Sequence, residues 1–354
     1  MLRYANPNCS IPQVAKSAKH LYVFQRTPSS IDIRNDVPWS QERWDKKIVN
    51  RYGNGYAYER RRFFDAVTSG GFLASDKANI EKKKVSKEER ARLAQLGNFK
   101  HMERIRRRVD EIVTDKKTAN ALKPWYDMGC KRPCFHDEYL PTFNRPNVTL
   151  VDTDGKGIKE INEHGVVYDG HTYDVDVLIY ATGFETQSSF TNRTGYDYIG
   201  RNNEKLSTKW DENGIATLWG IHTHNFPNLF IMGGSQVGFP FNFVSLLDEQ
   251  AMHIANVIDM ANGQSVDVTK ESEEAWVNEI IGNPGAGVGG GASFLALCTP
   301  GYYNNEGSFG KNKGELGSKS FKQNANFAGG PLRYYERMKT FYKDGKLGEK
   351  FVVF

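Results

Sequence analysis

The chain has 354 residues, 39% hydrophobic and 25% charged, with a formal net charge of +5. That balance excludes a disordered or fibrous polypeptide and supplies enough apolar side chains for two cores. The longest apolar runs, Val175 to Ala181 and Leu229 to Met232, fall far short of the roughly 18 residues a spanning helix needs, so no membrane span is expected. The first residues lack the apolar stretch of a secretory signal, and the expected compartment is the cytoplasm. Four cysteines do not make a disulfide framework, and Cys130 with Cys134 lacks a second pair or a histidine at ligand spacing, so neither bridges nor a metal site are expected.

Ile11 to His20 reads as a helix and Leu21 to Gln25 as a short buried strand that runs into Arg26-Thr27-Pro28. A helix followed directly by such a strand is the interior of a βαβ unit. At the end of the second strand of a dinucleotide-binding unit an acidic residue suits NAD, whereas an arginine suits the additional phosphate of NADP. Arg26 offers a guanidinium fork there and Thr27 a hydroxyl. A plain surface arginine after a strand remains the alternative.

From Asp36 to about Lys123 the sequence is charged and helix-prone, broken by glycines near Gly53 and Gly70, and reads as a helical insertion. Its basic run from Lys82 to Lys117 is interleaved with acids and nearly lacks aromatics, so nucleic acid is not expected as a partner. Leu93, Leu96, Met102, Ile105, Val109 and Ile112 supply the inner side of a helix pair whose outer face is charged. Lys131-Arg132 then stands among Trp125, Tyr126, Cys130 and Phe135. Adjacent cations in apolar surroundings suit stabilisation of a developing anion, with an ordinary surface pair as the alternative.

Val148 to Val151 reads as a strand, and Gly165–Tyr168, Asp169-Gly170 and His171–Asp174 as a hairpin with a type I′ turn. Val175 to Tyr180 is apolar enough for a strand covered on both faces, ending at Ala181-Thr182-Gly183. Asn228 to Met232 is a second such strand, ending at Gly233-Gly234 and followed by a helix with Leu247, Ala251, Ile254 and Ile258 on one stripe. Two buried strands ending in small residues suit the crevice of a doubly wound nucleotide-binding sheet. Gly285 to Gly290 satisfies G-x-G-x-x-G in form, but no buried strand precedes it, and a loop is expected. The segment beyond Gly282, with Cys298 to Glu306 as its polar-aromatic cluster, reads as a lid or pocket wall.

Phe24-Gln-Arg-Thr-Pro28, Gly129-Cys-Lys-Arg132, Asn147 to Asp152, Asp176 to Phe184 and Asn225 to Phe230 occur in the order and spacing of the Baeyer–Villiger monooxygenases. The chain resembles that family over nearly all its length, and Cys298 to Glu306 with Gly329-Gly-Pro331 is similar to a fungal-type subgroup acting on large or cyclic ketones. The resemblance implies an α/β flavoprotein with two Rossmann-like dinucleotide-binding domains. It also implies FAD and NADPH as cofactors, and a ketone and O2 as substrates. Arg26 and Thr27 would hold the 2′-phosphate of NADPH, Lys131 would help bind that cofactor, and Arg132 would stabilise negative charge developing over the flavin. Ala181, Thr182, Gly183, Gly233 and Gly234 would lie along the flavin nucleotide. Tyr302, Tyr303, Asn304 and Asn305 would line the substrate pocket.

Both glycine fingerprints and the His- and Trp-containing signature of the family precede these motifs in its members, and none is found here. The chain is therefore expected to be an amino-terminally truncated member of incomplete fold, with a missing amino-terminal half as partner and little activity alone. Residues 1–133 would be the remnant of the NADPH domain with its insertion at 36–123. Residues 134–262 would be the carboxyl-terminal part of the FAD domain, and 263–354 the lid. An N- or S-oxidising flavin monooxygenase and a non-catalytic interaction module are the alternatives.

Overall fold

The computed structural model describes residues 7–35, 38–46, 86–183, 190–240, 242–282, 284–285, 298–304, 306–307 and 319–354. They divide into two compact units. The first takes in the described residues of Met1–Pro38, Val85–Glu185 and Gly301–Tyr303, and the second those of Trp39–Lys84, Thr186–Pro300 and Asn304–Phe354. Each has its own apolar core.

In the first unit α1 (Pro7–Ser17) leads into β1 (Leu21–Gln25), which pairs in parallel with β4 (Val148–Asp152) from Leu21 opposite Val148 to Gln25 opposite Asp152. The Asn147 side chain ties the end of α1 to this pair by donating to the carbonyls of Ala15 and Ala18, at 3.0 and 2.9 Å. A second parallel pair joins β2 (Ile31–Asp32) to β3 (Cys134–Phe135). Between them in sequence lie α2 (Lys87–Ile112) and α3 (Lys116–Leu122), whose first turns are capped by Ser86 and Asp115. The core gathers Ile11, Ile31, Val109, Leu122 and, from α4 (Tyr139–Thr142), Tyr139 and Leu140.

The inner stripe of α2 holds at Met102, Ile105 and Val109, which are buried, but Leu96 is 48% exposed. Four arginines of α2 are paired with neighbouring carboxylates. Arg92, Arg106 and Arg107 pair with Glu89, Glu103 and Glu111, and Arg104 pairs with Asp32. A solvated charged face is what α2 presents.

Strands β5 (Glu160–Ile161), β6 (Gly165–Tyr168) and β7 (His171–Asp174) form an antiparallel sheet. Asp169 and Gly170 join β6 to β7 with φ of 50° and 76°, the two positive values a type I′ turn demands. The expected strand at Val175–Tyr180 does not form. Val177, Leu178, Ile179 and Tyr180 are exposed, Val177 by 74%, because no described strand lies beside them to take up their backbone groups.

The second unit includes α5 (Leu206–Asn213), α6 (Phe243–Ala261), β8 (Val266–Val268), α7 (Lys270–Gly282), β9 (Pro284–Gly285), β10 (Asn326–Phe327), α8 (Gly330–Lys343) and β11 (Phe351–Val353). Strand β8 pairs antiparallel with β11, and β9 with β10. Trp219, Ile221, Leu246, Trp276, Ile280 and Tyr334 centre its core. The strand expected at Asn228–Met232 is also absent. Asn228 is left-handed at φ 57°, and both its backbone N–H and its side-chain oxygen bond Val266, which consumes the strand's first positions.

Helix α6 turns inward a different face from the one the periodicity favours. Leu246, Gln250, His253, Val257 and Ala261 are buried, whereas Ala251 and Ile258 are exposed and Leu247 and Ile254 half-buried. With apolar residues on both sides, the pattern alone does not choose between them. Cys130 and Cys298 are half-cystines, which corrects the expectation of no bridges, whereas Cys9 and Cys134 are not disulfide-bonded. Among the described residues no helix is long and apolar enough to cross a membrane, and no cluster of metal-ligating side chains occurs.

Candidate functional site

Arg26 and Thr27 follow the last residue of β1, at the carboxyl end of a parallel pair, with Arg26 exposed and Thr27 half-buried. The chain then runs through Ser30 into β2. Lys131 and Arg132 lie just ahead of β3, the parallel partner of β2, so the two segments enter that pair from the same end. The tie between them is explicit. Ser30 donates its N–H to the Tyr126 hydroxyl at 3.0 Å, and the Ser30 carbonyl accepts from the Cys134 N–H at 3.0 Å. Tyr126 is buried, which pushes its phenol above its ordinary range, and Lys131 Nζ stands 6.0 Å from the centre of its ring.

The turn that presents Lys131 and Arg132 is built by α2. Buried Asn98 donates to the Asp127 carboxylate at 2.6 Å and accepts from the Met128 N–H at 2.8 Å. Gly129 follows at φ 94°, a value that favours glycine, and sends the chain toward the two cations. Below them Arg104 and buried Asp32 form a bidentate pair, with Arg104 Nη1 2.8 Å from Asp32 Oδ1. Burial pushes the Asp32 carboxyl up, but the Arg104 hydrogen bonds and the Ile33 N–H outweigh it, so the group stays ionised below its ordinary range.

Arg132 itself is exposed and makes no ion pair among the described residues, which corrects the expectation of a dry pocket around it. A guanidinium and a hydroxyl at a strand end suit a phosphate monoester, so Arg26 and Thr27 fit the phosphate end of NADPH. The residues expected along the flavin are not assembled. Ala181, Thr182 and Gly183 are exposed beyond the unpaired run Val177–Tyr180. Gly233 and Gly234 lie in a bend well before Phe243, where α6 begins, so they do not form that helix's first turn. Described residues alone therefore do not fit FAD.

Of the pocket residues, Asn304 is buried and both ends of its amide are engaged. It donates to the carbonyls of Cys298 and Thr299 at 3.0 and 3.2 Å and accepts from the Gly307 N–H at 3.0 Å, so it holds its own loop. Tyr303 is half-buried beside it in sequence. The Tyr302 side chain, Asn305, Ala286 to Gly290, the glycines near Gly53 and Gly70 and the basic residues Lys82, Lys83 and Lys84 lie outside the described residues. The sequence names Tyr126 only as an apolar neighbour of the cations and gives no sign of Ser30 or Asn98. A buried tyrosine or asparagine that organises a loop carries no motif.

No family model matches the chain. It is 40% identical over 320 residues to pentalenolactone D synthase of Streptomyces arenae, covering 84% of this chain and 53% of that protein. It is 39% identical over 319 residues to a Baeyer–Villiger monooxygenase of Stachybotrys chlorohalonatus, covering 84% and 49%. The solved polycyclic ketone monooxygenase of Thermothelomyces thermophila superposes with a TM-score of 0.83 at 34% identity, over 98% of this chain and 57% of that one. The chain spans about half the length of the relatives it matches, and its fold is that of part of a Rossmann-type flavoprotein. By sequence and by fold, the chain is similar to Baeyer–Villiger monooxygenases over about half of their length.

Proposed function

We propose that the chain is part of a cytoplasmic FAD- and NADPH-dependent monooxygenase that inserts one oxygen atom of O2 beside the carbonyl of a ketone, giving an ester or lactone. The other oxygen atom leaves as water, and NADPH supplies the two electrons. The observation that carries the reading is the register of β2 on β3, which brings Arg26-Thr27 and Lys131-Arg132 to one end of a single unit. The names and identities of the relatives support the same chemistry.

Arg26 and Thr27 would hold the 2′-phosphate of NADPH and Lys131 would neutralise further charge on that cofactor. Arg132 would stand over the reacting centre, where a fixed cation stabilises developing negative charge. FAD supplies the reductive activation of O2 when bound. Ala181, Thr182, Gly183, Gly233 and Gly234 would reach it only once a further polypeptide segment, the counterpart of an amino-terminal half, pairs with Val177–Tyr180. Residues 1–133 would then belong to the NADPH domain, 134–262 to the FAD domain, and 263–354 to a lid over the ketone that includes Tyr302, Tyr303 and Asn305.

The test titrates the purified chain with FAD and follows ketone-dependent NADPH oxidation. The chain alone is expected to hold no stoichiometric flavin and to show no turnover. Supplied with the amino-terminal part of the Thermothelomyces enzyme, it is expected to turn over, with Arg132→Ala lowering ketone oxidation roughly 100-fold. Turnover by the chain alone, or ketone oxidation indifferent to Arg132→Ala, refutes the proposal. Oxidation of amines or sulfides that survives Arg132→Ala would favour the N- or S-oxidising reading.

A further inference from the structure

We infer that Thr153 is a positioning residue for recognition of the cofactor's 2′-phosphate, acting through the backbone that carries Arg26; this rests on the reading of Arg26 given above. The strand pair β1–β4 ends at Gln25 opposite Asp152. Directly beyond it, Thr153 is 1% exposed and makes two hydrogen bonds to one acceptor. Its backbone N–H and its Oγ1 both donate to the Gln25 carbonyl, at 2.8 and 2.9 Å. The same Oγ1 accepts from the Gly157 N–H at 3.0 Å.

The residues after Thr153 fold back over β1. The Lys156 N–H donates to the Thr153 carbonyl at 2.9 Å, with Asp154 and Gly155 at φ of 48° and 77°, a type I′ turn. At its tip the Gly155 N–H donates to the Arg26 carbonyl at 3.0 Å. Both carbonyls at the carboxyl end of β1, those of Gln25 and Arg26, are thus held by one turn that is itself pinned through Thr153 Oγ1. The buried Gln25 side chain adds a bond from Nε2 to the Ala121 carbonyl at 2.8 Å.

A strand end fixed at successive carbonyls has lost the peptide rotations that would swing the next side chain. Recognition of a phosphate by a guanidinium depends on direction as well as charge, because the strong geometry is the parallel two-bond fork. Thr153 itself makes no approach to the ligand. Its hydroxyl sets the direction from which Arg26 meets it.

The experiment measures dissociation constants of NADP+ and NAD+ for the full chain by calorimetry, in parent, Thr153→Val, Thr153→Ser and Arg26→Gln. The parent is expected to prefer NADP+, and Arg26→Gln to lose that preference. Thr153→Val keeps the volume and branching but not the hydroxyl. It is expected to lower the preference about fivefold, the scale of one net hydrogen bond, with NAD+ affinity unchanged. Thr153→Ser is expected to restore it. If Thr153→Val does not fold, Gly155→Ala gives the same readout, because its φ of 77° is strained for alanine while nothing lies within 4 Å of the added Cβ. Its expected effect is the same fall in preference.

An unchanged preference in the folded Thr153→Val or Gly155→Ala variant overturns the inference. So does equal weakening toward both nucleotides, the mark of a merely structural role. A parent without preference for NADP+, or one that survives Arg26→Gln, overturns instead the reading of Arg26 on which the inference stands.

Discussion

Replacing Lys209 by methionine is expected to cost the second unit about 3–5 kcal/mol, the usual penalty for breaking a buried ion pair from one side. The Lys209 side chain is 12% exposed and that of Glu273 7%. Lys209 Nζ is 3.0 Å from each Glu273 oxygen, 2.9 Å from Thr223 Oγ1 and 2.8 Å from the His224 carbonyl, so its three protons are fully used. Glu273 also accepts from Thr223 Oγ1 at 3.0 Å and from the His224 N–H at 2.8 Å. In Lys209→Met the carboxylate keeps those two donors but stays buried without a cation. The double variant Lys209→Met, Glu273→Leu carries no charge there and is expected to cost less than the sum of the singles, with a coupling of about 2 kcal/mol. Urea unfolding followed by near-ultraviolet circular dichroism reads the effect through buried Trp219 and Trp276. A Lys209→Met cost below about 1 kcal/mol, or additive singles, would refute the claim that this pair anchors α5 to α7.

Acid should loosen the same unit. His222 Nε2 lies 2.9 Å from His253 Nε2, both rings buried, and one ring must donate while the other accepts. Burial lowers both imidazoles, His253 to about 4 and His222 well below its ordinary value, with the neighbouring ring adding to the fall at His222. Folded values below the unfolded value of about 6.5 mean that this contribution is whole above that pH and is lost as pH falls toward 4. The urea midpoint is expected to be flat above neutrality and to drop across that window. In His253→Gln part of the acid slope should vanish, and an identical profile in parent and variant would contradict the assignment. Gly220→Ala is expected to destabilise the unit by more than about 2 kcal/mol, because φ is 70° and the new Cβ would stand 2.4 Å from the Ser235 carbonyl oxygen. Gly263→Ala, at φ 81° with nothing within 4 Å of the added Cβ, should cost only about 1 kcal/mol. Equal melting temperatures for the two variants would show that close approach is not what Gly220 serves.

Local chemistry was legible where neighbours in sequence settle the outcome. The strand leading to Arg26 and the hairpin at Asp169-Gly170 depend on propensity and turn geometry and are found where expected, while the helix ahead of the strand forms over Pro7–Ser17, earlier in the chain than the expected Ile11 to His20. The turn at Asp154-Gly155 carries the same dipeptide signal. The motifs around Arg26 and Lys131-Arg132 were legible as a family resemblance, which the relatives bear out.

What tertiary structure decided is what depends on distant partners. Val177–Tyr180 has the composition of a central strand, yet a strand exists only when other strands satisfy its backbone, and no described strand does. On α6, where both faces are apolar, packing against Trp219 and α8 chose the face that carries His253 rather than the one that carries Ile258. Asn304 was legible as a polar residue in a polar cluster, but only the fold shows both ends of its amide spent on its own loop. Residue type and spacing determine which chemistry a segment can perform. Hydrogen bonds and burial between segments far apart in the chain determine which of those capacities remains free to be used.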